Sequence, residues 1–258
     1  MTSPFPNTIQ QIGKTIFESS PSTIQHIIGT THREIINQYC KFKTWYQCGR
    51  HYDAPIRPRQ IYYISPDEIT KVPITKPPGS TFIADVRGGD WDINTKSFSE
   101  TQLYESFDMV FNEGVDWEET SWYTHAMEKI SQGKTWKGYS TESGIKCRLD
   151  MLDNLYQHIQ QNGLQPNKAI QNSQNHIAGL QKHESYYWPS DEVTVDVGRE
   201  GQFLFYKGYT RISISQLANV DRIPVRIRVR HKFWQEHRDE VMNKNAKPKA
   251  DQHPDLDL

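Results

Sequence analysis

Two short stretches of this 258-residue chain carry residue types and spacings that could do chemistry. The first is Arg87-Gly88-Gly89-Asp90-Trp91-Asp92, at the end of an apolar run over 82–86. Gly88 and Gly89 allow close backbone approach or a positive φ. Asp90 and Asp92 then place two carboxylates at the end of an expected strand, a favoured place for ligands in mixed sheets. They could hold a hydrated Mg²⁺, act as a catalytic base, or hydrogen-bond a sugar or hydroxyl. The plainer alternative is a rigid turn in which Asp90 caps its own backbone and Trp91 packs.

The second stretch is Lys207-Gly208-Tyr209-Thr210-Arg211. A glycine turn leading into a helix aims free backbone N–H groups and the positive end of the helix dipole at one spot. Lys207 and Arg211 flank that spot, and Arg199 supplies a further positive charge nearby in sequence. Phosphate suits such a place, because a guanidinium can grip it with two hydrogen bonds. The plainer alternative leaves Gly208 as a turn and Arg211 as a solvated or salt-bridged helix residue.

The elements that must position these residues are legible around them. Val193, Val195 and Val197 alternate with Thr194 and Asp196, the period of a half-buried strand. Gly198-Arg199-Glu200-Gly201 has the composition of a hairpin turn, and 203–206 make the returning strand. Thr210 is expected to cap a helix over 210–218 carrying Ile212, Ile214, Leu217 and Ala218. Asn219 can end that helix in a left-handed conformation. Pro224 opens a last strand, in which Val225, Ile227 and Val229 alternate with Arg226, Arg228 and Arg230. That alternation predicts three buried apolar residues and three arginines together on the opposite face. There they would either extend the anion site or meet solvent.

The stretch from Gly198 to His231 resembles the ParB/sulfiredoxin-like superfamily. In that superfamily a strand runs into a G-x-x-R turn at a helix N-terminus, and a strand of the Ile-Pro-Val type follows the helix. The matching residues are Gly208, Tyr209, Thr210 and Arg211, then Ile223-Pro224-Val225. Many relatives read D-G-x-H-R; here Lys207 replaces the acid and Thr210 the histidine. Sulfiredoxins carry their catalytic cysteine in this turn, and this turn has none, which argues against sulfinic acid reductase chemistry. The motif covers about forty residues and extends more loosely back to Ile61. The chain is also similar to uncharacterised proteins with a G-G-D-W-D segment ahead of the same motif. The superfamily includes CTP-binding switches and a nucleotide-dependent kinase of free serine, so the resemblance implies a nucleotide or other phosphorylated ligand.

Elsewhere the chain reads as support. Residues 1–50 look like a helical arm, with Ile24, Ile27, Ile28, Ile35, Ile36 and Tyr39 at roughly helical spacing. Lys41-Phe42-Lys43-Thr44-Trp45-Tyr46 mixes bases with aromatics, a composition that can stack on nucleobases, although a packed arm with solvated lysines accounts for it too. A strand is expected over 61–64, with Ser65 and Pro66 opening a helix. Residues 98–163 read as helices with apolar stripes, one of them capped by Thr141, and 162–187 as solvated loop or short helix. The net charge of −1 gives no global pull toward nucleic acid or membrane. Three cysteines without metal or disulfide spacing fit a reducing, cytoplasmic setting. There is no signal-like start, no run long enough for a membrane span, and no Walker A, zinc or nucleophile-elbow motif.

These features lead to an α+β expectation: a small mixed sheet of ParB/sulfiredoxin-like type over 51–241, a helical insertion at about 96–185, an N-terminal helical arm over 1–50, and a disordered polar tail over 242–258. The expected function is phospholigand binding, with phosphoryl transfer as its extension. Arg199, Lys207, Gly208, Tyr209, Thr210, Arg211, Gly88 and Gly89 would bind the ligand. Asp90 and Asp92 would be the catalytic or Mg²⁺-holding groups, with a nucleotide and Mg²⁺ as cofactors. A DNA-binding or nuclease protein of ParB-like type, favoured by the arginine strand, and a non-enzymatic interaction module are the other classes.

Overall fold

The computed structural model describes residues 34–35, 38–58, 60–79, 84–166, 192–244 and 253–257. Its organising element is the nine-residue strand β7 (Ile223–His231). One edge of β7 is taken by β5 (Val193–Val197), which runs parallel to it. The other edge is shared end to end. β1 (Tyr62–Ile64) pairs antiparallel with its first residues, Tyr62 with Val225 and Ile64 with Ile223. β3 (Asp85–Arg87) pairs parallel with its last, Asp85 with Val229 and Arg87 with His231. β5 returns through a hairpin as β6 (Phe203–Lys207), and β2 (Lys71–Pro73) and β4 (Thr95–Ser97) complete the far side. The result is a seven-stranded mixed sheet in the order β1-β7-β5-β6-β2-β4, with β3 also on β7.

The expected sharing of one sheet by 82–86, the hairpin and the arginine strand holds through β3, although 80–83 lie outside the described residues. β2 and β4 were not anticipated. Three-residue strands with a single apolar side chain at most are too short to show a period.

The helices are α1 (38–47), α2 (Gln102–Phe111), α3 (Ser121–Ser131), α4 (Glu142–Asn162), α5 (Tyr209–Leu217) and α6 (Lys232–Asn243). Thr141 caps α4 by accepting from the Gly144 N–H, as its position suggested. Ser65 forms a capping box with Glu68 over the short 3₁₀ turn Pro66–Glu68. α5 starts one residue earlier than expected. Gly208, at φ +109°, is its N-cap, and Thr210 already lies inside the first turn. Asn219 does take a left-handed conformation, at φ +52°, just beyond the helix.

α5 lays Ile212, Ile214 and Leu217 on the sheet face formed by Val193, Val195, Phe203, Phe205, Val225 and Ile227. α2, α3 and α4 extend the same core through Phe107, Trp122, Leu149, Leu152 and Ile159. Phe107 meets both Trp117 and Trp122 edge-on, so aromatic area fills what the modest aliphatic content leaves. Of the expected arm, 1–33 lie outside the described residues, as do 167–191 of the expected insertion and loop.

Two expectations are corrected. The three arginines of β7 do not share an exposed face. Val195 pairs with Ile227, but Val197 pairs with Arg230, so β7 carries one extra residue there, a β-bulge. Because side chains alternate with period 2, one extra residue moves everything after it to the other face. Val229 accordingly packs with Leu204 and Trp91, while Arg228 and Arg230 are both buried. The second correction concerns part of the expected disordered tail, of which 245–252 and 258 lie outside the described residues. Residues up to 243 are helical, and 253–257 dock on the fold with Asp255 and Leu256 buried.

Candidate functional site

The Gly88–Asp92 loop and the β5–β6 hairpin turn meet through Arg199. Its Nη2 donates to Asp92 Oδ1 at 2.9 Å, to Asp90 Oδ1 at 2.7 Å and to the Gly89 carbonyl at 3.1 Å. Its Nε donates to Asp92 Oδ2 at 3.0 Å, and its backbone N–H reaches the same oxygen at 2.7 Å. Asp92 is buried, whereas 80% of the Asp90 side chain is exposed. Burial pushes the Asp92 carboxyl up, but the hydrogen bonds from Arg199 outweigh it and hold the group below the usual carboxylate range. His231 joins from the end of β7. Its Nδ1 accepts from the Phe233 N–H, which leaves Nε2 to donate to the Gly89 carbonyl at 2.9 Å. Gly89 has the anticipated positive φ, +94°. Trp91 packs, as the plainer alternative had it.

This geometry makes a clamp. Both Asp92 oxygens accept from Arg199, and a carboxylate held so firmly ionised is a weak base. Nor do Asp90 and Asp92 fit a Mg²⁺ shared with a phosphate at Gly208. They belong to the hairpin-turn end of β6, and Gly208 lies at its other end, roughly 16 Å away for five extended residues. The expected approach of the two carboxylates to the G-x-x-R turn is therefore not made, and Arg199 is engaged away from that turn.

At the other end, Lys207, Gly208, Tyr209, Thr210 and Arg211 run directly from β6 into α5, and all five are partly buried. Gly208 is required by its φ and by close packing. A Cβ there would sit 3.1 Å from Val193 Cγ2 and 3.3 Å from Val193 Cα. As N-cap it brings no side-chain acceptor to the first-turn N–H groups of α5. Tyr209 turns its ring onto Phe98 and Phe205, at centroid distances of 5.3 and 4.0 Å, and its burial raises the phenol pKa.

Two charged groups of the last strand are committed to buried ion pairs. Arg228 forms a buried ion pair with Asp196 through Nη2 and Oδ2, and its guanidinium lies 3.4 Å from the centre of the Tyr206 ring. Arg230 grips Asp255 with Nη2 at 2.6 Å and Nε at 2.8 Å, joined by Trp234 Nε1 at 3.0 Å. Burial and the Asp85 charge push the Cys48 thiol up to about 11, which removes it as a nucleophile near neutral pH. His231, Asp196 and Asp255 were not singled out from the sequence. A lone histidine and two isolated aspartates carry no spacing signal.

Comparison with protein-family models, with curated proteins and with solved structures gives no match. No helix among the described residues is long and apolar enough to cross a membrane.

Proposed function

We propose that the protein binds a phosphorylated small molecule, a nucleotide in the first instance, at the start of α5. One observation carries the reading: the left-handed Gly208 joins β6 directly to a nine-residue helix, with Lys207 before it and Arg211 in the first turn. Helix N-termini of this kind favour anions through their N–H groups and dipole, and a guanidinium adds a two-pronged contact. The order β6, Gly208, α5, β7 is also the order of the G-x-x-R resemblance, with Ile223-Pro224-Val225 opening β7. Tyr209 favours this reading over an interaction module, because its ring is packed on Phe98 and Phe205. The DNA-binding alternative of ParB-like type draws no support from Arg228 and Arg230, which are buried in ion pairs. The reading is one of binding; phosphoryl transfer would need carboxylates that the fold places at the far end of β6.

The test is a thermal-shift screen of nucleoside mono-, di- and triphosphates with and without Mg²⁺, followed by calorimetric titration. A ligand of the native state raises its stability by mass action. Losing a charged hydrogen-bond partner costs roughly 1.5–3 kcal/mol, so Arg211→Ala should weaken binding about 10- to 100-fold. Asp90→Asn should leave the affinity unchanged. If no phosphorylated ligand shifts the wild type, or Arg211→Ala binds equally well, the site is not a phosphate site and an interaction module replaces it.

A further inference from the structure

Helix α1 turns to solvent a face that its composition would ordinarily bury. Tyr39, Phe42, Trp45 and Tyr46 are 42%, 61%, 56% and 53% exposed. The orientation is held from the opposite side. Cys40, Thr44 and Cys48, spaced four apart, are buried, and the two cysteines pack with Ile56 and Ala84. Rolling the helix to cover the rings would expose that side instead. The rings adjoin one another: Phe42 and Tyr46 lie 6.1 Å apart and 21° from parallel, and Phe42 and Trp45 lie 6.2 Å apart, tilted by 38°. Cations are interleaved with them. The Arg50 guanidinium sits 4.6 Å from the Tyr46 ring centre and Lys43 Nζ 5.9 Å from that of Tyr39. From Gln38 to His51 the chain carries Lys41, Lys43 and Arg50 and no carboxylate.

We propose that this face of α1 binds single-stranded nucleic acid, with bases stacking on Phe42, Trp45 and Tyr46 and the phosphate backbone running along Lys41, Lys43 and Arg50. The charge pattern selects the partner. A polyanion that offers flat apolar faces answers both halves of the surface, and single strands do so because their bases are unstacked. A second copy of the same face would set cations against cations. The proposal is independent of the phosphate site at Gly208.

The experiment is fluorescence anisotropy with the full chain and a labelled oligothymidylate of about 20 nucleotides, beside a duplex of equal length. Binding to the single strand is expected, falling steeply with salt as phosphate contacts do. Phe42→Ala and Trp45→Ala should each weaken it by about 5- to 100-fold, the worth of one stacked base. Both residues are exposed, so the melting temperature should not move. Lys41→Gln with Lys43→Gln should flatten the salt dependence, and Arg211→Ala should leave binding as it was. The proposal is overturned by the absence of single-strand binding at low salt, by equal affinity for duplex, or by an unaltered Trp45→Ala variant. It is equally overturned if Arg211→Ala abolishes binding, or if sedimentation shows that the rings instead hold two copies of the chain together.

Discussion

Arg199 joins segments 107 residues apart, and its value lies in the buried Asp92 that it neutralises. The hairpin turn around it has little room to give. Gly201 is at φ +87°, and a Cβ there would come within 2.6 Å of Trp234 Cζ3 and 2.8 Å of Cη2. An indole packed on its other side is not the flexible end of a side chain, so it cannot swing clear. Gly201→Ala should therefore combine overpacking with left-handed strain, a loss of roughly 2–5 kcal/mol. Urea denaturation followed by far-UV circular dichroism checks it. An unchanged midpoint would mean that the turn relaxes and that the close contact does not constrain the fold.

At the scale of elements, the β-bulge in β7 decides what its arginines do. By keeping Arg228 on the face of Asp196 and Tyr206 and moving Arg230 to the other, it gives each guanidinium its own carboxylate. A buried pair of this kind costs much to break and little to replace. Arg228→Met alone should strand the Asp196 carboxylate and cost about 3–5 kcal/mol. Arg228→Met with Asp196→Leu should recover most of that loss. A double-mutant cycle by denaturant unfolding measures the coupling, and additive losses would show that the pair does not act as a unit.

At the scale of the molecule, residues 253–257 close the fold. The Asp255 carboxylate serves Arg230, Arg238 and Trp234 together, and the His253 ring stacks on Phe203 at 4.6 Å. Burial and the neighbouring Arg230 charge push Arg238 down to about 10, so two buried guanidinium groups depend on one carboxylate. Burial raises the Asp255 carboxyl, but Arg230, Arg238 and Trp234 hold it below the usual range. The folded state thus binds this proton more weakly than the unfolded chain, whose aspartates titrate near about 3.9. The stability it contributes is fully present above that value and is lost as pH falls through the lower folded pKa. Asp255→Asn should cost about 3–5 kcal/mol at neutral pH. It should also show a flatter loss of melting temperature than wild type on acidification below about pH 4. Parallel acid profiles for the two proteins would remove Asp255 from the acid response.

What the sequence determined by itself was local. The hairpin turn, the Ser65 and Thr141 caps, the left-handed Asn219 and the strand-glycine-helix passage at Gly208 all follow from residues within a few positions of one another, where φ preference and hydrophobic period act directly. Gly89, Asp90, Asp92 and Arg199 were candidates from the outset, but only tertiary structure brought them together as a clamp and set them away from Gly208. The faces of Arg228 and Arg230 depend on a bulge that exists only in the pairing of β7 with β5. The aromatic residues of α1 were expected first as part of a packed arm, yet they are exposed, because a helical period says which residues share a face and not what covers it. Asp255 sits 25 residues from the arginine it neutralises, in a stretch whose polar composition suggested disorder. A lone carboxylate acquires its meaning from the buried charge it meets, and that meeting depends on long-range packing that no local pattern records.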